Sequence, residues 1–238
     1  MLLYIIRHGH PTYNAEDDLT EEGHKQAMAL VPRLVQSKIS RIYSSPLNRA
    51  IITGKPTANA LGLDIHIEPW LSEGFAYKHF AYRDQYGKKH WIFFDNPCDF
   101  VHGKAHDAGD KWYELDAMKV MPTAKEGYEI LQKNSDDFLS RIGYLRDGNE
   151  YIIKDPTDDH IAVFCHQGIG LVWFSHLMRI PPNIVWAQFD LTHTGVTVIE
   201  FKNRPTGRTV PKCLCFSDMS HLFAAEDTEY LYHSSILI

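Results

Sequence analysis

The chain reads as an α/β fold, with a mostly parallel central sheet, helices on both faces, and an aromatic-rich inserted lid. Three observations predict this. Leu2–Ile6 and Ile161–Cys165 are short apolar runs with the content of strands buried on both faces. Strand-like and helix-like stretches alternate along most of the chain, as a parallel sheet requires. Both apolar runs break abruptly into polar chemistry, Arg7-His8-Gly9-His10 and His166-Gln167-Gly168, where strands of open α/β sheets meet their ligands.

The elements follow in order. After the opening strand, residues 10–18 form a loop, and Thr20 is the expected N-cap of a helix with Glu21 and Glu22 in its first turn. Ala27, Leu30, Val31, Leu34 and Val35 share one face of that helix, and Pro32 is expected to kink it. Ile39–Tyr43 is a second strand. Ser45 is the expected N-cap of the next helix with Pro46 at its first position, Arg49 in its first turn, and Gly62 ending it. Residues 64–68 are a third strand, followed by Trp70-Leu71-Ser72-Glu73. Residues 74–122 lose all periodicity, are dense in aromatic side chains, and are too long for a plain connection. They are expected to form a lid or cap inserted into one domain spanning residues 1–238. Thr123-Ala124-Lys125-Glu126 has the pattern of a capping box, opening a helix whose stripe runs Tyr128, Leu131, Phe138, Ile142, Leu145 and ends near Gly148. A helix over 169–178 follows the second apolar strand, and 196–201 and 212–216 are further strands.

Composition narrows the function. The formal net charge of −6 argues against nucleic acid as a partner held by bulk electrostatics. No stretch is long and apolar enough for a membrane span, no signal-peptide pattern stands at the start, and a cytoplasmic location is expected. Cys98, Cys165, Cys213 and Cys215 form no CxxC pair and are expected to be buried thiols.

Arg7-His8, Arg49 and His166 sit at separate strand ends or helix starts. If the fold brings them together, they form a local anion site within an acidic protein. Guanidinium forks match phosphate oxygens, and a neutral imidazole nitrogen can attack phosphorus. The alkoxide that leaves needs a proton, which a carboxylic acid can supply. Two other readings use the same residues. In one, His8 and His10 form an HxH metal pair with His166 or His193, which leaves Arg7 and Arg49 unfavourably close to a cation. In the other, the pocket binds a phosphorylated ligand without turning it over. His102 and His106 are a further, weaker metal pair within the insertion.

The ordered series Arg7-His8-Gly9, Leu19-Thr20-Glu21-Glu22-Gly23, Ser44-Ser45-Pro46-Leu47-Asn48-Arg49-Ala50, Leu71-Ser72-Glu73 and His166-Gln167-Gly168 resembles the histidine phosphatase superfamily, the phosphoglycerate-mutase-like fold. The resemblance covers the chain apart from most of residues 74–122. It implies that His8 is the nucleophile that becomes phosphorylated, with Arg7, Arg49 and His166 binding phosphoryl oxygens. Glu73 is then the proton donor, with Glu68, Asp84, Asp95 and Asp99 as rivals, and Asn14 lines the phosphate pocket. It further implies a small phosphorylated substrate and neither cofactor nor metal. His10-Pro11 stands where the family usually has Glu-Thr, and Gly74-Phe75-Ala76 after Glu73 departs from the mutase signature. These departures favour a phosphatase over a phosphoglycerate-mutase-type phosphotransferase.

Overall fold

The opening apolar run is a strand, β1 (Leu2–Arg7), covered on both faces: Leu3 and Ile5 point into one hydrophobic cluster, Tyr4 and Ile6 into another. That alternation explains the absence of polar residues in the run, since neither face meets water. The computed structural model describes residues 1–12, 17–225 and 228. Asn14 lies outside the described residues.

Along the chain follow α1 (Glu21–Gln36), β2 (Arg41–Ser44), α2 (Asn48–Leu61), β3 (Ile65–Ile67), α3 (Glu73–Phe80), the hairpin β4 (Ala81–Arg83) and β5 (Lys89–Trp91), and the single turns α4 (Ile92–Asp95) and α5 (Cys98–Val101). After two 3-10 segments come α6 (Ala124–Arg141), β6 (Tyr144–Asp147), β7 (Glu150–Ile153), β8 (His160–Cys165), α7 (Gln167–Met178), α8 (Pro182–Gln188), β9 (Val196–Glu200), β10 (Arg208–Thr209), β11 (Lys212–Asp218) and α9 (Ser220–Phe223). The main sheet has the order β11-β9-β1-β8-β2-β3. β1, β8, β2 and β3 run parallel, while β9 is antiparallel to both of its neighbours.

Register positions the site. Arg7 pairs with Cys165, and Ser44 with Phe164, so β1, β8 and β2 end side by side. His8, His166 and Ser45 are the next residues on the three strands. Because β9 runs the other way, its leading turn arrives at the same edge: Thr194 N–H donates to Arg7 O, 3.1 Å.

The helices cover the two faces. Leu30, Leu34 and Ala58 pack with Ile42, Ala162 and Phe164 on one side. On the other, α7 is buried from Gln167 to Leu177, and Trp173 and Phe174 join Phe138 and Val163. A buried Phe- or Trp-sized side chain is worth about 3–5 kcal/mol when cut back to alanine. Residues 74–122 share this larger core, with Phe80, Phe93, Phe100, Trp112 and Met118 clustered around Trp186 of α8 and its neighbours.

Several local expectations are corrected. Thr20 caps α1 as its sequence suggests, accepting from Gly23 N, but Val35 of the expected apolar stripe is 40% exposed. Pro32 lies inside α1, which continues to Gln36. Ser45 is not an N-cap: α2 begins at Asn48, and the Ser45 hydroxyl accepts from Leu47 N and faces a histidine instead. Thr123 makes no side-chain cap, because its backbone is already helical (φ −90°, ψ −1°). α6 stops at Arg141, and Gly143 at φ 97° turns the chain into the β6–β7 hairpin, which places Leu145 on a strand. Cys98 is exposed, and Cys213 and Cys215 are half-buried; Cys165 is the buried thiol.

Candidate active site

Arg7, His8, Glu73 and His166 are all buried, at 3%, 4%, 5% and 0% exposure, which is unusual for four ionisable side chains. They are brought together from β1, the start of α3 and the end of β8. Arg49, second residue of α2, joins them, with its Nε–H donating to His8 Nε2 at 3.2 Å. Arg7 is held by its own donation to Leu191 O, 2.6 Å.

The state of His8 follows from its neighbours. Its Nδ1 lies 2.7 Å from Gly9 O, an acceptor only, so Nδ1 carries the proton and Nε2 presents a lone pair. Burial first, and then the charges of Arg7 and Arg49, hold the imidazole's pKa well below its usual value. The ring is neutral at physiological pH, with its basic nitrogen facing the arginines.

His166 stacks obliquely against His8, ring centres 5.0 Å apart. Its Nε2 lies 2.7 Å from Ser45 Oγ, and burial first, then its neighbours His8, Arg49 and Arg7, hold its pKa well below the ordinary value. His193, from the turn before β9, stands 5.5 Å from His8 and 5.2 Å from His10 between ring centres.

Glu73 sits at the first turn of α7. Oε1 accepts from Gly168 N at 2.9 Å and Oε2 from Ile169 N at 3.0 Å. These bonds favour the carboxylate, as do the nearby Arg49 and Arg7 charges, but burial outweighs them and raises the pKa above its ordinary value. Each oxygen keeps a second lone pair, so the carboxyl can take up a proton without releasing the helix. Three of the rivals are engaged elsewhere: Glu68 pairs with Arg141 and accepts from Trp70, and Asp84 and Asp95 flank His90 of the β4–β5 hairpin.

Other supports carry no strong signal in the sequence. Asp17 forms an ion pair with Arg49. Thr53, one helical turn after Arg49, donates to Arg49 O and accepts from Gly9 N at 2.9 Å, a link that i,i+4 spacing on α2 could have suggested. His10, unexplained by its sequence, is a tether: its N–H donates to Gln26 Oε1, its carbonyl accepts from Thr20 N, and its Nδ1 meets Thr20 Oγ1 at 3.0 Å. Gly9 and Gly23 touch back to back. A Cβ on Gly9 would lie 2.6 Å from Gly23 O, and one on Gly23 2.2 Å from His10 O.

Residues 74–122 supply one wall. Trp91 reaches α7 so closely that a Cβ on Gly168 would stand 2.7 Å from its ring. Tyr77 stacks on Trp91 at 4.3 Å, and Lys89 Nζ lies 3.4 Å over Tyr77. His106 pairs with Asp107 on the surface, away from this wall. Among the described residues, no three His, Cys, Asp or Glu side chains are placed to hold one metal ion, and no helix is long and apolar enough to cross a membrane.

Fold and site together define an α/β protein whose ligand end is built from paired arginines, neutral histidines and a buried carboxyl. The family model described as histidine phosphatase superfamily (branch 1) matches residues 3–100. A putative phosphoserine phosphatase 2 from Hydrogenobacter thermophilus is 27% identical over 186 residues, 74% of this chain and 84% of that protein. An adenosylcobalamin/alpha-ribazole phosphatase from Salmonella typhimurium is 25% identical over 194 residues, 78% of this chain and 84% of the relative. The crystal structure of Entamoeba histolytica phosphoserine phosphatase in complex with 3-phosphoglyceric acid matches with a TM-score of 0.59 and 22% identity, covering 93% of this chain and 98% of that one, a likeness of fold. Residues 3–100 of the chain are thus similar to the histidine phosphatase superfamily, and the relatives matched over about three quarters of its length are phosphatases.

Proposed function

We propose that the protein is a phosphomonoesterase that hydrolyses a small phosphorylated metabolite through a phosphohistidine on His8, without a metal ion. The observation that carries this reading is the state of His8: a neutral imidazole with Nδ1–H committed to Gly9 O and Nε2 accepting from the Arg49 guanidinium.

On substrate binding, the phosphoryl oxygens take the donors of Arg49, Arg7 and His166, and Arg49 releases His8 Nε2. That nitrogen attacks phosphorus, a P–N bond forms, and the ester P–O bond breaks. The departing alkoxide takes a proton from Glu73, whose raised pKa makes it an acid. Glu73, now a carboxylate held by Gly168 N and Ile169 N, takes a proton from a water molecule. The water oxygen attacks phosphorus, the P–N bond breaks, and inorganic phosphate leaves. Fixed cationic donors stabilise the charge that builds on the phosphoryl oxygens in both steps. Trp91, Tyr77 and Lys89 stand on the leaving-group side, where the segment 74–122 acts as the lid.

The test is a rapid quench with phosphate-labelled substrate. Label stable to alkali and labile to acid is expected on the wild-type chain, absent from His8→Ala, with turnover unchanged by chelator. Hydrolysis that survives His8→Ala refutes the reading, and phosphate appearing on a second organic acceptor rather than as inorganic phosphate indicates a phosphotransferase.

A further inference from the structure

Beyond the groups that touch the phosphoryl, one buried contact decides what His166 can offer it. Ser45 and His166 are both fully buried and follow the paired ends of β2 and β8, and Ser45 N–H donates to Phe164 O at 2.9 Å. The Ser45 hydroxyl already accepts from Leu47 N, 3.2 Å. Its proton then has one receptor nearby, His166 Nε2 at 2.7 Å. The reverse arrangement, with Nε2–H donating to Ser45, gives the oxygen two incoming donors and leaves its own proton without an acceptor among the described residues. It also leaves Nδ1 a bare lone pair on a ring packed against His8, in the field of Arg49 and Arg7. Nδ1 itself is buried and has no hydrogen-bond partner among the described residues, on a ring 5.0 Å from that of His8. A buried group of this kind calls for an explanation, and a proton waiting for a ligand oxygen supplies one.

We propose that Ser45 is a positioning residue whose hydroxyl donates to His166 Nε2, fixing that imidazole's proton on Nδ1 as a donor for a phosphoryl oxygen. Its strength is the strand-end geometry: both partners are anchored to the backbone of adjacent parallel strands, so the hydroxyl has little freedom to turn elsewhere. A wrong tautomer leaves an imidazole in place and removes its donor, which is damaging wherever a histidine's second nitrogen is set by a neighbour. The donor's role in phosphoryl transfer rests on the phosphohistidine reading above; the tautomer does not.

The experiment is nitrogen-15 NMR of histidine-labelled protein, with the His166 ring assigned by its loss in His166→Gln. The resting wild-type protein is expected to show Nδ1 protonated and Nε2 bare. Ser45→Ala shifts His166 away from that form and lowers kcat by about 10²-fold, the scale of losing one transition-state donor. It also weakens inhibition by orthovanadate, and Ser45→Thr restores tautomer and rate together. A wild-type spectrum with Nε2 protonated overturns the proposal, and that spectrum alone decides if Ser45→Ala does not fold. A drop in kcat in Ser45→Ala with the tautomer unchanged overturns it as well, since that is what lost packing produces. The expected spectrum in a protein that forms no phosphohistidine supports the tautomer assignment and refutes the catalytic reading.

Discussion

Replacing Glu73 by glutamine separates its structural role, anchoring α7, from the proton transfer proposed for it. The carboxylate accepts from Gly168 N and Ile169 N, one bond per oxygen. Glutamine has one acceptor, so one N–H loses its partner and faces an amide N–H instead. At 5% exposure water cannot repair the loss, and a buried unsatisfied donor costs about 1–3 kcal/mol. For a chain of this length that is about 2–4 °C in Tm per kcal/mol. The chemical loss is larger. Without an acid, an alkyl phosphate must expel an unprotonated alkoxide, and kcat is expected to fall about 10²–10⁴-fold. A 4-nitrophenyl ester needs no proton to leave, so its first step should survive while hydrolysis of the phosphohistidine, which needs Glu73 as base, slows. The assay is rapid-quench kinetics on Glu73→Gln. It should show a stoichiometric burst of nitrophenolate followed by slow turnover, and no burst from the alkyl ester. A loss below tenfold on the alkyl ester, or an equal loss in the burst phase of both, refutes the assignment of Glu73 and moves the role to another carboxyl.

The pH profile should reflect two displaced groups. His8 must be neutral to attack, and burial with Arg7 and Arg49 holds its pKa well below 6.5, so the acid limb of kcat/KM should lie below that of an ordinary histidine. Glu73 must be protonated, and burial raises its pKa above 4.5, so activity on alkyl esters should decline as pH rises through that raised value, with little decline for the nitrophenyl ester. Asp17→Ala removes the carboxylate paired with Arg49, whose side chain is 15% exposed. Inhibition by inorganic phosphate should tighten by up to about fivefold, the scale of an ion pair that solvent still reaches. Gly23→Ala drives a methyl into His10 O and N, contacts of 2.2 and 2.9 Å. Thermal unfolding should show a loss of about 1–3 kcal/mol, with kcat falling because the same loop carries His8.

The sequence made the catalytic edge legible because its residues sit at discontinuities. An apolar run can stop at Arg7-His8 or Cys165-His166 only where the sheet's edge opens, and a serine-proline turn before Arg49 marks a helix start. What the sequence does not mark is held by backbone or by distant side chains. Gly168 N and Ile169 N fix Glu73 without any side-chain signature, Asp17 meets Arg49 from a loop, and Ser45 looked like an ordinary cap. The β6–β7 hairpin was hidden because Leu145 continues the helical spacing of α6, and the glycine at φ 97° decides the break. Residues 74–122 follow neither period because their aromatic side chains pack into a shared core as single turns and a short hairpin.

The hydrogen bond from His8 Nδ1 to the carbonyl of the very next residue has a consequence for engineering. His8, the proposed nucleophile, is oriented by its own strand end through a bond that involves no residue of 74–122. Glu73, although it opens α3, takes its aim from the backbone of α7. The groups that aim His8 and Glu73 therefore lie outside residues 74–122, although that segment shares the larger core with α7 and α8. Under the proposed function, exchanging the wall residues Tyr77 and Lys89, and not the buried aromatics of that segment, should alter substrate preference while leaving the aim of His8 and Glu73 unchanged.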